Sequence, residues 1–431
     1  MTSSVRSPAL RAFRSLDFRR FLGSRLLAIL GLEMVNVAVG WQVYALTRRP
    51  LDLGYVGLAQ FLPPLFLTLP AGHAADRFDR RRVMLLCHLG FGLCSGLLAW
   101  LALTGIRAPA PIFGVLVLLG IARAFNAPAA QALMPSLLPE GDFPNAVAWN
   151  SSTFQVATVV GPALGGGLYA LLGNPEAVYL LAAGLAVLDV IVLLAIRTRT
   201  GRMESKATSW STVLAGVRYV WENKIVLGSI SVDLFAVLLG GAAALMPVFA
   251  QDVLHAGAWG LGILRSAPSI GAGVVGLYLA ARPLKRHVGR TMLLGVTVFG
   301  ATTIGFGLSR TLWLSVLLLV VMGAADMLSV FVRLTIVQIS PPPEMRGRVN
   351  AVNMLFIGAS NELGEFESGL TAQWLGPVRA VVAGGIGTLL VVLATTRLFP
   401  GLARLDRMPT ESRNAGLERE AAAAEATAPS S

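Results

Sequence analysis

The chain has 431 residues, of which 55% are hydrophobic and only 13% charged, with 46 Gly and 23 Pro. Soluble domains average about 45–50% apolar and about 25% charged residues, so this chain lacks the polar surface to cover domains of its size in water, and disorder is excluded by the same hydrophobicity. The 35 basic residues outnumber the 23 acidic ones, a formal net charge of +12, which in an apolar chain belongs to loops beside a membrane rather than to a nucleic-acid surface.

A hydrocarbon core about 30 Å thick takes about 20 helical residues to cross. Apolar runs broken by charge or by Pro and Gly predict twelve spans, at 18–47, 52–75, 83–104, 111–134, 145–171, 177–196, 225–250, 259–281, 291–309, 312–339, 349–373 and 377–397. The first follows an Arg-rich start (Arg6, Arg11, Arg14, Arg19, Arg20) and is too long for a signal-peptide apolar region, so an uncleaved span is expected. Between spans six and seven lies a polar, basic break at 197–224. Its end carries Trp210, Val213, Leu214, Val217 and Trp221 on one helical stripe, which suits a helix lying on the membrane surface. The expected organisation is therefore a segment 1–17, a six-helix bundle 18–196, the linker 197–224, a second bundle 225–397 and a low-complexity tail 398–431, expected to be disordered.

With both termini in the cytoplasm, 26 of the 35 basic residues fall on the cytoplasmic side, 5 outside and 4 within spans. That bias is what the positive-inside rule predicts, and an odd number of spans would scramble it.

Cys87 and Cys94 are seven residues apart on one helix, about 10.5 Å, too far for a disulfide. His73, His88, His255 and His287 are scattered without metal-ligand spacing, so no metal is expected. No hydrolase nucleophile motif and no ATP-binding P-loop is present, which leaves an enzyme or a primary pump little support.

The two sides of the 197–224 break resemble each other. Arg82-Val-Met-Leu-Leu recurs as Arg290-Thr-Met-Leu-Leu, Gly120-Ile-Ala-Arg123 as Gly323-Ala-Ala-Asp326, and Asn145-Ala-Val as Asn350-Ala-Val, in the same order and at offsets of 208, 203 and 205. Six spans repeated once make a parallel repeat about an axis along the membrane normal, with a binding site expected near the midplane between halves.

Gly72-His-Ala-Ala-Asp76-Arg77-Phe-Asp79-Arg80-Arg81-Arg82, between spans two and three, resembles the major facilitator superfamily signature G-x-x-x-D-R-x-G-R-R, with Asp79 for the usual glycine. Leu119-x-x-x-Arg123-x-x-Asn126 resembles the span-four signature, and Gly161-Pro162-Ala-Leu-Gly165-Gly166 the G-P-x-x-G-G of proton-driven exporters. With Asn361-Glu362-Leu-Gly-Glu365-Phe-Glu367, the run is most similar to the enterobactin-exporter and multidrug-efflux branch, over roughly residues 15–400. The resemblance implies an all-α polytopic membrane protein, twelve helices in two pseudo-symmetric six-helix bundles. It implies secondary export of a small amphipathic molecule (drug-like compound or siderophore) by proton antiport and alternating access, from a monomer in the cytoplasmic membrane. The proton-motive force would be the energy source, and no cofactor is expected. Proton-coupled uptake of a small metabolite and a non-transporting sensor or scaffold stay open as alternatives.

A charge at mid-bilayer costs about 2.5–3.5 kcal/mol on insertion scales, so each buried charge asks for a partner or a function. Span one carries Glu33 with Asn36, Gly40 and Tyr44 on its face. In the family, spans one, four, seven and ten line the central cavity, so the resemblance sets Arg123 and Asp326 across the symmetry axis. The alternative for these two is a static ion pair. Asp233 and Arg333 are expected at similar depth. Spans eight and eleven are neighbours in the family fold, so the resemblance implies that Arg265 meets Glu362, Glu365 and Glu367, either for proton coupling or as a helix lock. Three carboxylates within six residues cannot all be ionised cheaply there. Gly72, Asp76, Arg77, Arg80 and Arg81 are expected in a gate, Asp76 facing a neighbouring helix N-terminus; a topology-fixing charge run is the alternative. Gly161, Pro162, Gly165 and Gly166 pack helices closely in either case, Asp189 is expected to be structural, and Arg25 to reach the inner surface.

Overall fold

The computed structural model describes residues 11–105, 108–139, 141–198, 210–282, 284 and 286–407. The start before Arg11, residues 199–209 of the linker, the side chains of Trp210 and Val213, and the expected disorder of the tail beyond 407 lie outside the described residues.

Every regular element among the described residues is helical. The spans run Leu16–Thr47, Pro50–Arg77, Arg80–Leu103, Ala110–Leu133, Phe143–Leu172, Glu176–Leu194, then a seventh opening as Lys224–Leu239, and Gly257–Ala281, Val288–Leu308, Leu312–Ile339, Pro343–Leu375 and Pro377–Leu398. Their starts obey local chemistry. Ser15 caps span one by accepting the Phe18 amide at 3.2 Å, and Asp79 caps span three by accepting that of Arg82 at 3.0 Å. Proline sits in the first turn of spans two, four, five, eleven and twelve, where its missing N–H costs nothing. Eleven of these helices are apolar enough to cross by composition. Span eleven is the twelfth; its charges lower its hydropathy, but its 33 residues pack between spans two and seven.

Span seven departs from the expected continuous helix over 225–250. It stops at Leu239, breaks at Gly240-Gly241, takes a tight turn over Ala242–Leu245 and ends in a widened turn over Phe249–Val253. At the break Gly241 lies against the Gly364 carbonyl of span eleven, where a Cβ would fall 2.9 Å from that oxygen.

Spans one with five and six, two with four, and three with four and six pack as the first bundle. Seven with eleven and twelve, eight with ten, and nine with ten and twelve pack as the second, so adding six converts one scheme into the other. The repeat extends to atoms: Gly120 of span four seats against Gln60 and Pro63 of span two, and Gly323 of span ten against Pro268 of span eight. The bundles meet along two seams, spans two with eleven and five with eight.

The helix Trp210–Glu222 turns Leu214, Val217 and Trp221 outward, as its stripe predicts. Its other side docks on span eleven, with Gly216 against the Arg348 carbonyl, Val220 buried, and the Tyr219 hydroxyl donating to the Ser340 carbonyl at 3.1 Å.

Candidate functional site

Span one starts and span twelve ends at one face of the molecule, called here the terminal face. There each bundle has its own core, one around Phe18, Met84 and Leu133, the other around Val226, Met292 and Ile336. At the opposite face a single core crosses between bundles, joining Val37, Tyr44 and Leu53 to Leu245, Phe249 and Leu264. Hydrogen bonds between the bundles follow the same division. Asp252 accepts from the Tyr44 hydroxyl and, at 3.0 Å, from Arg48; Ser266 donates to the Val159 carbonyl at 2.6 Å; Gln155 donates to the Ser269 carbonyl. Below them Phe66 and Phe154, Val274 and Leu277 are exposed on the halves of the seam helices nearer the terminal face. The bundles therefore share one core at the far face and have separate cores at the terminal face, the arrangement of a site closed at the far face.

Asp252 was not among the sequence candidates, although Arg48 and Arg49 beside a span end are a signal for an acidic partner. Its exposed pair with Arg48 contributes at most about 1 kcal/mol, and the Tyr44 bond about 1 kcal/mol more. Asp252→Ala is expected to shift the ratio of open to sealed far face by about tenfold. Pulsed EPR between labels at Leu171 and Leu308, after replacement of Cys87 and Cys94, would read this; an unchanged distance distribution would contradict it.

Under the seal lies a mixed group of charges. Glu33 (span one), Glu362 and Glu365 (span eleven), Arg123 (span four) and Arg265 (span eight) interact electrostatically with one another. Asn36 is the polar neighbour of Glu33, and Arg123 donates to Gln60 Oε1 at 2.8 Å. Gly57 of span two makes room for the carboxylates, since a Cβ there would fall 2.6 Å from Glu365 Oε2 and 3.5 Å from Glu362 Oε2. Among the described residues none of these arginines closes to within 4.0 Å of these carboxylates, and Arg265 Nε is buried without a hydrogen-bond partner. Opposite charges thus face one another without collapsing into pairs.

A second group lies nearer the terminal face. Arg333 of span ten reaches Asp233 of span seven at 3.2 Å and Asn353 of span eleven at 3.1 Å. Asp326, about two helical turns along span ten from Arg333, interacts with Asp233 and Arg333.

These placements correct several expectations. Arg123 and Asp326 do not face each other, because Asp326 shares the helix face of Arg333 and turns with it toward span seven. Spans eight and eleven are not packed neighbours; Arg265 acts on the glutamates from across the cavity, since each helix packs on a seam partner instead. Glu367 leaves the group. It follows Glu365 by two residues, about 200° around the helix, and accepts from Thr371 of its own span at 2.6 Å. Among the described residues, Arg25 Nε is buried without a hydrogen-bond partner, and the residue as a whole is half-buried. The central group draws on spans one, two, four, eight and eleven. Gln60 and Asn353 were missed. Gln60 precedes Pro63 by three residues as Arg265 precedes Pro268, both at an offset of 205, and that repeat was the available signal.

In the loop between spans two and three, Arg80 is buried and donates to the Ala75 and Ala132 carbonyls (3.4 and 3.1 Å). Arg81 donates to those of Leu193 and Leu194 (3.1 and 2.5 Å), so the two guanidiniums satisfy the carbonyl ends of spans two, four and six. Arg77 is exposed, Gly72 has open space around its Cα, and among the described residues Asp76 makes no hydrogen bond, so the expected contact with a helix N-terminus is not seen there. Span five packs through its glycines: a Cβ on Gly161 would meet Glu33 Cβ at 2.6 Å, one on Gly165 Met34 Cα at 2.9 Å, and one on Gly166 the Ala258 carbonyl at 2.5 Å. The Pro162 carbonyl faces Gly262 across the five–eight seam.

Inside the first bundle, His88 Nδ1 lies 2.6 Å from Asp189 Oδ2 and Nε2 lies 3.0 Å from Asn126 Oδ1. The Ser24 hydroxyl donates to Asp189 Oδ1 at 2.5 Å. Both His88 and Asp189 have side chains only 1% exposed, so spans one, three, four and six are tied through a polar link away from solvent.

The family profile described as transmembrane secretion effector matches residues 7–425. Enterobactin exporter EntS of Citrobacter koseri is 26% identical over 406 residues, covering 91% of this chain and 94% of that protein. EntS of Escherichia coli O81 is 26% identical over 408 residues with the same coverage. Among solved structures, the nucleoside transporter NupG superposes with TM-score 0.68 at 16% identity, over 89% of this chain and 99% of that one. A POT family transporter superposes with TM-score 0.72 at 12% identity, over 89% and 96%. These structural likenesses concern the fold alone.

Proposed function

The chain belongs to the transmembrane secretion effector family of the major facilitator superfamily, and we propose that it exports a small amphipathic molecule, a drug-like compound or siderophore, across the cytoplasmic membrane in exchange for protons. It works as a monomer with both chain ends in the cytoplasm, where the positive-inside bias puts the terminal face. The relatives named as enterobactin exporters support the direction and the substrate class.

The unequal charge of the two buried groups carries this reading. The central group holds three carboxylates (Glu33, Glu362, Glu365) against two guanidiniums, and the second holds two (Asp233, Asp326) against one. Each therefore has one carboxylate without a matching positive charge, and one proton makes each group neutral. Neutrality matters because an uncompensated charge at this depth costs several kcal/mol. A proton entering along the membrane potential supplies about 2.3 kcal/mol per 100 mV. Proton binding to the central group, under the far-face seal, and substrate release would then alternate as the bundles rock about the two seams. The scarcity of polar residues favours an amphipathic cargo over a sugar. Gln42 is buried in the first bundle and accepts from the Tyr179 hydroxyl at 2.6 Å, so it is not presented to a cargo.

The test is substrate-evoked proton flux in liposomes loaded with a pH dye, screened with lipophilic cations and siderophores. Flux that needs substrate is expected to fall at least tenfold, about 1.4 kcal/mol, in Asp326→Asn or in the Glu362→Gln/Glu365→Gln double variant. Substrate movement without proton flux, unaffected by either variant, would sink the coupling scheme. Protons and substrate moving in the same direction would establish uptake by symport instead.

A further inference from the structure

A cavity of about 640 Å³ lies outside the central site, on the outer surface of the first bundle between spans three and four. Its span-three wall includes Arg82, Leu86, Gly90 and Leu93, which share one helix face, and its span-four wall includes Leu118 and Ile121. Leu86 and Leu93 are 70% and 65% exposed, so the groove opens sideways to the bilayer. From Arg82 to Leu93 the helix rises about 16 Å, close to one leaflet of a hydrocarbon core about 30 Å thick. Gly90 keeps the floor low, since a Cβ there would already touch that of Ala122 at 3.4 Å.

Charge is confined to one end of the groove, at the loop between spans two and three, where Asp79 and Arg82 line its mouth. Asp79 is already engaged in capping span three. The Arg82 guanidinium makes no hydrogen bond or ion pair among the described residues, although its neighbours Arg80 and Arg81 are both held by carbonyls. Residues 76–82 hold four arginines against two aspartates, so the mouth is net positive. A free guanidinium at the membrane surface, above an apolar groove one leaflet deep, matches a phosphate esterified to a long chain.

We propose that this groove binds one anionic phospholipid of the leaflet bordering the loop, with its phosphate on Arg82 and an acyl chain along spans three and four. Such a lipid bridges the two helices and the loop that joins span three to span two. The site depends on the chain lying in a membrane and not on proton exchange, so its failure and that of the export scheme are separately visible.

The experiment is native mass spectrometry of the purified full chain in detergent, titrated with palmitoyl-oleoyl phosphatidylglycerol. Parallel titrations use the matching phosphatidylethanolamine, dihexanoyl phosphatidylglycerol and inorganic phosphate. One saturable phosphatidylglycerol adduct is expected, tighter than that of the ethanolamine lipid, with neither the short-chain lipid nor phosphate displacing it. Arg82→Ala is expected to weaken it at least about fivefold, and Arg82→Lys to retain most of the affinity. Arg290→Ala, at the repeat equivalent in the second bundle, is exposed and is expected to leave it unchanged. Equal binding by Arg82→Ala and Arg290→Ala would overturn the proposal. Equal binding of both long-chain lipids, or displacement by phosphate alone, would overturn it as well.

Discussion

Asp189→Ala, with His88 left in place, is expected to lower the unfolding free energy by about 3–5 kcal/mol. The substitution strands the His88 Nδ1 and the Ser24 hydroxyl in the middle of the first bundle, where no water reaches them. A polar group left alone in that interior loses its solvation without replacement. The paired replacement His88→Leu/Asp189→Leu removes both ends of the link, and is expected to recover most of the loss, because a buried pair is costly mainly when broken. Thermal unfolding in detergent, followed by the fluorescence of the intrinsic tryptophans, would report both variants. If the double variant is as unstable as the single one, the link is not what holds spans three and six together. Transport by a stable double variant would separate a structural link from a second proton site.

Gly262→Leu is expected to abolish transport while leaving each bundle folded. A Cβ at Gly262 would lie 2.6 Å from the Pro162 carbonyl and 3.1 Å from Gly166 Cα, so spans five and eight are in backbone contact at the far-face seal. Forcing a large side chain into a packed contact costs about 1–3 kcal/mol, and here separation of the bundles relieves the strain. Since about 1.4 kcal/mol is a tenfold change, the sealed state is expected to lose between roughly fivefold and about 150-fold in population. The Leu171–Leu308 label pair should then report a longer distance. Retained transport with an unchanged distance would show that the seam tolerates the side chain and does not open in the cycle. The equivalent contact of the other seam is Gly369 against Pro50 and Gly54, and Gly369→Leu is expected to act in the same direction.

The helical spans were legible because the bilayer imposes a length and an apolar composition that no tertiary contact can waive. Span eleven is the exception by composition. Its helix begins at Pro343, six residues earlier than the apolar run suggests, since the docked helix Trp210–Glu222 and a first-turn proline support its polar start. Span seven broke where two glycines follow one another, and sequence alone suggested no reason to interrupt it there. The reason is span eleven, whose Gly364 carbonyl occupies the space a side chain would need.

The site divides in the same way. Asp233 and Arg333 were expected only at similar depth; the structure adds the contact, because opposite charges buried at one level on neighbouring helices have no better partner. Arg123 and Asp326 were equivalent by repeat, yet each acts on groups its own surroundings supply, Arg123 with Gln60 and the central glutamates and Asp326 with Asp233 and Arg333. Glu367 was grouped with Glu362 and Glu365 by proximity in sequence, and the helical twist separates it.

By itself, then, the sequence determined the class of molecule, the twelve crossings, the two-fold repeat and the inventory of buried charge, because solvation sets these residue by residue. Only the tertiary structure decided which charges face one another, at which face the bundles share a core, and that among the described residues the Arg82 guanidinium has no partner beside an outer apolar groove. Those outcomes depend on helix rotation and on contacts between residues hundreds of positions apart, where a 100° turn per residue moves a side chain from cavity to lipid.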